Sequence, residues 1–151
     1  MKNSLNKAII IASKIHKGKK GRNREPAILH PIRVMSKMTD NNSRVVAILH
    51  YVVESKKISI QELKDNGFND KICKAVDLLS RKKGEKYFNY IDRLKNSKLA
   101  CKVKLADLTD NYIRRKQYKF ASKIDMQKIK KYKKAYKILT GNSLKSAIKH
   151  F

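Results

Sequence analysis

The chain has 151 residues, with 38 lysines and arginines against 12 acids, a formal net charge of +26 and a pI near 10.2. That length favours a single domain, and a hydrophobic content of 41% excludes a disordered polyelectrolyte despite the charge. No run approaches the ~20 apolar residues that cross a bilayer, Ala8 to Ala12 is too short for a secretory signal core, and Cys73 and Cys101 stand alone without a CxxC or Cys/His cluster, which excludes a disulfide framework or a structural zinc.

Apolar residues recurring at three and four, broken by only two prolines and five glycines, read as helices throughout. Leu5, Ala8, Ile9, Ala12 and Ile15 form the stripe of a first helix starting near Ser4, and Lys17 to Glu25 is a basic, glycine-containing loop. Pro31 sits where a helix can begin, because its missing donor would be unpaired there anyway, and Ile32, Met35 and Met38 follow on one face. Ser43 is the expected cap of a third helix, whose nearly continuous apolar run from Val45 to Val53 marks the buried centre of the fold. Ser59 to Glu62 has capping-box spacing, and Gly67 is placed to stop that short helix. Asn69 caps a helix carrying Ile72, Ala75, Val76 and Leu79; Tyr87, Tyr90, Ile91 and Leu94 mark another, and Leu99 to about Ala121 a long one. A last amphipathic helix from about Asp125 to Leu139 breaks at Gly141-Asn142. The expectation is one all-α domain spanning 1–151, cytoplasmic, with a basic helical extension from about residue 112.

The charge attracts polyanions without specifying them. From Tyr112 to Phe151 thirteen lysines and arginines face the single acid Asp125. Either these lysines fill solvated helix faces, where their stems cover apolar surface, or the extension binds nucleic acid. No recognisable nucleic-acid fold signature accompanies them, so nucleic acid is the less favoured partner. A small phosphorylated substrate would be drawn by the same field. A membrane is not an expected partner, and the sequence leaves the oligomeric state open.

Polar residues inside apolar helices are the informative anomalies, since burying one unpartnered costs roughly 1–3 kcal/mol. His50 ends the run from Val45 to Leu49, with Glu54 four residues on. Asp107 and Asn111 repeat that spacing in the long helix, and His30 precedes Pro31. Two imidazoles and one or two carboxylates on separate helices are ligand types that a divalent transition metal takes from a helical bundle. The alternative is a satisfied core histidine and an aspartate bonded to nearby backbone.

His16-Lys17-Gly18, Glu25-Pro26, His30-Pro31, Leu49 to Glu54, Gly67-Phe68, Gly84 to Tyr87 and Val103 to Asn111 resemble, in order across about residues 5–111, the hydrolase domain of the RelA/SpoT family, a branch of the HD-domain phosphohydrolases. The resemblance implies an all-α HD-domain helical bundle that removes the 3′-pyrophosphate of guanosine tetra- or pentaphosphate ((p)ppGpp) with manganese as its divalent metal. The family pattern HxG…EPYxxHP…HDVVED…DxxxN carries its metal ligands onto His30, His50, Tyr51 and Asp107. It carries the acids that handle water onto Glu54 and Ser55, and the nucleotide-positioning asparagine onto Asn111; His16 matches a motif position read as structural. In the basic loop Lys20 and Arg22 are the expected substrate-binding residues, together with Asn111.

Four positions depart from the pattern. Tyr51 stands where the family has its metal-binding aspartate, Ser55 where it has the second acid, Gly21 where it has a basic residue and Ala27 where it has an aromatic. A phenol of pKa about 10 is a poor manganese ligand, so the set reduces to His30, His50 and Asp107, with manganese held weakly or not at all. Glu54 remains to orient a water, and Asp110 is a substitute ligand. Three readings follow: a hydrolase of (p)ppGpp or a related nucleotide, a degenerate HD protein that binds a nucleotide or a partner without turnover, and a nucleic-acid binder acting through the C-terminal helix.

Overall fold

The computed structural model describes residues 3–21 and 24–148. Among them the helices are α1 (Ser4–His16), α2 (Leu29–Ser36), α3 (Asn41–Leu49), α4 (Ile60–Asp65), α5 (Asp70–Leu79), α6 (Tyr87–Arg93), α7 (Lys98–Lys116), α8 (Lys123–Thr140) and α9 (Leu144–Ile148), with a single 3₁₀ turn at Leu94–Asn96. No strand occurs among the described residues; an isolated antiparallel bridge joins Lys20 to Pro26 across the basic loop.

The expected all-α bundle is organised around α3. Val45 to Leu49 and Val52 are fully buried, as a helix apolar on every side must be, and α1, α2, α5 and α7 pack on it. Ala8, Ala12, Val34, Ile72, Val76, Leu94, Val103 and Leu108 complete one continuous core. The basic helix α8 lies along α7 and against α6; its Ala135 enters the main core, while Ile129 joins Tyr112 and Leu144 in a small satellite. No helix of the described residues is long and apolar enough to cross a membrane.

The capping chemistry follows the sequence in most places. Ser59 with Glu62, and Ser122 with Asp125, close reciprocal capping boxes, and Asn69 caps α5 by accepting from the Ile72 amide. Gly141, at φ 75°, ends α8 in the left-handed region that glycine enters without strain.

Other details differ from the sequence expectation. Asp40, not Ser43, caps α3: its carboxylate accepts from the Ser43 amide at 2.9 Å, and the Ser43 hydroxyl turns back onto it at 2.7 Å. A cap must precede the first turn to reach that amide, and Ser43 already lies within the turn. Helix α2 starts two residues before Pro31 and buries Pro31 and Val34, with Met38 beyond its end, leaving Ile32 exposed. On α1, Ile9 likewise faces outward. Helix α7 stops at Lys116 rather than near Ala121, because residues 117–122 reverse the chain so that Ser122 can start α8 back along α7.

One difference bears on the site. Helix α3 ends at Leu49, His50 is its C-terminal flanking residue, and residues 51–56 form a turn in which the Val52 amide donates to the Leu49 carbonyl at 3.0 Å. His50 and Glu54 therefore do not share a helical face. They reach the same cleft from a helix end and from the turn that follows it.

Candidate active site

Three elements converge on one point: the first turn of α2 carries His30, the end of α3 carries His50, and the middle of α7 carries Asp107. One ligand atom from each lies within 4.8 Å of the other two. His50 Nδ1 donates to the Ala47 carbonyl at 2.6 Å, which leaves the Nε2 lone pair facing Asp107 Oδ1 at 3.8 Å. Burial lowers the pKa of His50 to about 4, so the ring is neutral and able to ligate.

His30 stands between two carboxylates, with Nε2 3.0 Å from Asp107 Oδ1 and Nδ1 2.8 Å from Asp110 Oδ2. Burial pulls its pKa down, but the two hydrogen-bonded carboxylates outweigh that and raise it to about 9. The point between His30 and Asp107 thus favours positive charge, which a proton or a divalent ion can supply. Burial alone would raise the pKa of Asp107; Lys104 Nζ at 2.6 Å from Oδ2 and the two imidazoles instead hold it well below the usual carboxylate range. The Asn111 amide donates to Asp107 Oδ1 at 2.6 Å. A tautomer-locked neutral imidazole, a second imidazole aimed at the same oxygen and an ionised carboxylate form an N,N,O set that fits a divalent transition metal with open positions.

The cluster lies in the wall of a cleft of about 570 Å³, a size typical of small-molecule sites. Lys19, Lys20, Gly21, Glu25 and Ala27 of the basic loop line one side, and Arg81, Arg114, Arg115, Lys128 and Lys131 line another. Glu54 also faces the cleft, and burial shifts its pKa upward, toward the range useful for proton transfer. The Tyr87 hydroxyl is buried without a hydrogen-bond partner among the described residues, and burial pushes its pKa up to about 12, so it remains a neutral donor. Lys131 Nζ lies 4.2 Å from the centre of the same ring.

The remaining expectations resolve individually. Lys20, Gly21 and Ala27 line the cleft, whereas Arg22 lies outside the described residues. Tyr51 is 45% exposed and packs its ring against His16, with centroids 6.1 Å apart and planes 28° apart; it lines the same cleft as His30, His50 and Asp107. Both ring nitrogens of His16 are buried without a hydrogen-bond partner among the described residues, and the ring, taken as structural, lies beside the cleft. Ser55 donates its hydroxyl to the Val52 carbonyl within the turn.

Asp110, expected as a substitute ligand, stands outside the group of His30, His50 and Asp107; its oxygens are bonded to His30 Nδ1 and to Arg33. Sequence reasoning missed Arg33 and Lys104 and gave Asp110 a different role; all three stand three residues from a residue it did find, Arg33 after His30, Asp110 after Asp107 and Lys104 before Asp107. That spacing places each on the face of its helix that carries the neighbouring site residue. Arg81 and Lys131 carried no such signal.

The order of the helices and their packing on α3 define an all-α fold that a solved structure shares. No protein-family model matches the chain. Among solved structures, that of a metazoan ortholog of SpoT, reported to hydrolyze ppGpp and to play a role in starvation responses, matches with a TM-score of 0.77 and 20% sequence identity, covering 97% of this chain and 92% of the other. At that identity the likeness is one of fold.

Proposed function

We propose that the chain is a metal-dependent phosphohydrolase of the HD type acting on a phosphorylated nucleotide, with the 3′-pyrophosphate of (p)ppGpp as the first substrate to test. The observation that carries this reading is the meeting of His30, His50 and Asp107 within 4.8 Å in the wall of a cationic cleft, in a fold shared with a protein that hydrolyzes ppGpp. A divalent metal, manganese in the family resemblance, would be held by those three side chains and would supply Lewis acidity to the phosphoryl group and to an attacking water.

The chain's own groups account for the rest. Glu54, its pKa raised by burial, orients the water and takes its proton. Lys104 and Asn111 hold Asp107 in place, so that the carboxylate does not reorganise as charge develops. Lys19, Lys20 and Arg22 from the loop and the cations of the opposite wall bind the remaining phosphates. The test is release of pyrophosphate from ppGpp by the purified chain with Mn²⁺, lost in His50→Ala. No turnover across a metal titration, by a chain that does bind the metal, rejects the reading.

A second reading has its own support. Tyr51 stacks its ring on His16 and brings a phenol, a poor ligand for a divalent metal, where the family pattern has an acid, and Ser55 is spent on the backbone, so neither restores that acid. A binding protein without turnover fits those two positions. Tyr51→Asp separates the readings: activity gained in the variant and absent in the native chain favours the binding role, and activity present in both favours the enzyme.

A further inference from the structure

Behind the His/His/Asp cluster runs a second row of charged groups. Asp110 is buried one turn along α7 from Asp107, and its Oδ2 meets His30 Nδ1 at 2.8 Å. Arg33 Nε donates to Asp110 Oδ1 at 2.9 Å and to Oδ2 at 3.2 Å. The other edge of the same guanidinium reaches Glu25, with Nη2 2.9 Å from Oε1 and Nη1 3.3 Å from Oε2. The Glu25 carbonyl in turn accepts from the Gly21 amide at 2.8 Å, and the Ala27 amide donates to the Lys19 carbonyl at 3.0 Å. An unbroken chain of hydrogen bonds thus leads from the base of the basic loop, through Arg33 and Asp110, to one of the three candidate ligands.

Each link has a specific consequence. A carboxylate on Nδ1 fixes an imidazole with Nε2 turned toward a metal and raises the ring's basicity as a ligand. A planar guanidinium bonded by both edges sets two carboxylates in one plane, a geometry that a lysine ammonium cannot reproduce. Glu25 lies in the loop that carries Lys19 and Lys20, so a shift of that loop is transmitted to His30 by rigid contacts.

We infer that Asp110 and Arg33 are positioning residues: they aim His30 at the metal and, through Glu25, tie the loop's anion-binding lysines to the metal site, so that a divalent cation and a phosphate bind cooperatively. The inference rests on the metal reading given above and not on turnover. Coupling of this kind is reciprocal, so phosphate must tighten the metal to the same degree that the metal tightens phosphate.

The test is calorimetric titration of the full chain with Mn²⁺, with and without inorganic phosphate, alongside thermal melting of the metal-free protein. Asp110→Asn is expected to weaken Mn²⁺ binding roughly 10- to 100-fold, the usual cost of losing an outer partner of a ligating histidine, and Asp110→Glu to recover most of it. Glu25→Gln is expected to keep the Mn²⁺ affinity measured without phosphate and to lose the gain that phosphate confers on the native chain. Native Mn²⁺ affinity in Asp110→Asn overturns the positioning role. Recovery of the melting temperature but not of Mn²⁺ affinity in Asp110→Glu also overturns it, by reducing Asp110 to a brace between α2 and α7. An equal phosphate gain in Glu25→Gln and the native chain overturns the coupling. A chain that shows the expected metal pattern yet leaves ppGpp intact supports this inference and rejects the hydrolase reading.

Discussion

The two walls of the cleft meet their charges in opposite ways. On the wall built by α2, the end of α3 and the middle of α7, His30, Arg33, Asp107 and Asp110 bond one another at 2.8–3.2 Å. On the wall built by the turn after α5, the end of α7 and α8, Arg81, Arg114, Lys128 and Lys131 line the cleft beside a Tyr87 hydroxyl that has no hydrogen-bond partner among the described residues. Burial and the surrounding cations lower the pKa of Lys131, which marks a region where positive charge is in excess. The first wall is preorganised, so a cation arriving there finds its donors already oriented. The second wall gains most from an anion.

Substitutions can break this division of labour or sharpen it. The largest effect is expected for His50→Ala and Asp107→Asn, which should lower Mn²⁺ affinity by more than the roughly 100-fold cost of losing an outer partner and remove pyrophosphate release with it. Metal binding retained in both variants, read by calorimetry, would place the metal elsewhere. Glu54→Gln comes next, with kcat expected to fall roughly 10²- to 10⁴-fold, as for loss of a general base, at unchanged metal affinity. A parallel loss of metal would make Glu54 a ligand and blur the two roles. Replacing either Lys131 or Arg81 by alanine should raise KM roughly 10- to 100-fold with kcat kept, the pattern of removed uniform binding, since a hydrogen bond to a charged group contributes about 1.5–3 kcal/mol. A fall in kcat without a change in KM would move the reacting group to that wall.

The smallest effect concerns the brace of the cationic wall and depends on pH. Glu85 accepts from Arg93 Nε at 2.8 Å and Nη2 at 3.0 Å, and its carbonyl accepts from Arg81 Nε at 2.9 Å. The Arg93 bonds lower the pKa of Glu85 from its ordinary value of 4.5 to about 2. Because the folded pKa is the lower one, the ionised carboxylate stabilises the fold. That contribution is complete above pH 4.5 and fades as the pH falls toward about 2. The gap in urea midpoint between the native chain and Glu85→Gln should therefore close across that window; a gap that stays constant refutes the brace.

Particular residues show how far the sequence reached. His50 and Asp107 were legible as polar residues set in apolar helical stretches, where burial demands a partner, and His30 by its place before Pro31, with the family resemblance joining the three as ligands. The partners themselves were less legible. Asp110 read as a ligand because composition reports residue type and not the direction of a side chain, and only Arg33 on a neighbouring helix shows which way its carboxylate turns. Lys131 and Arg81 looked like any solvated cation in a chain with 38 of them. Tyr51 was visible as a departure, but its placement against His16 was not.

The amino-acid order alone determined the helical character, the buried α3 segment and most caps, because these depend on periodicity and on hydrogen bonds that span three or four residues. Tertiary structure alone decided that α3 stops at Leu49 so that His50 faces Asp107, that Asp110 turns to His30 and Arg33, and that α8 folds back to supply one wall of the cleft. Those outcomes depend on contacts between groups far apart along the chain, whose distances are set by how the helices pack and not by any local preference.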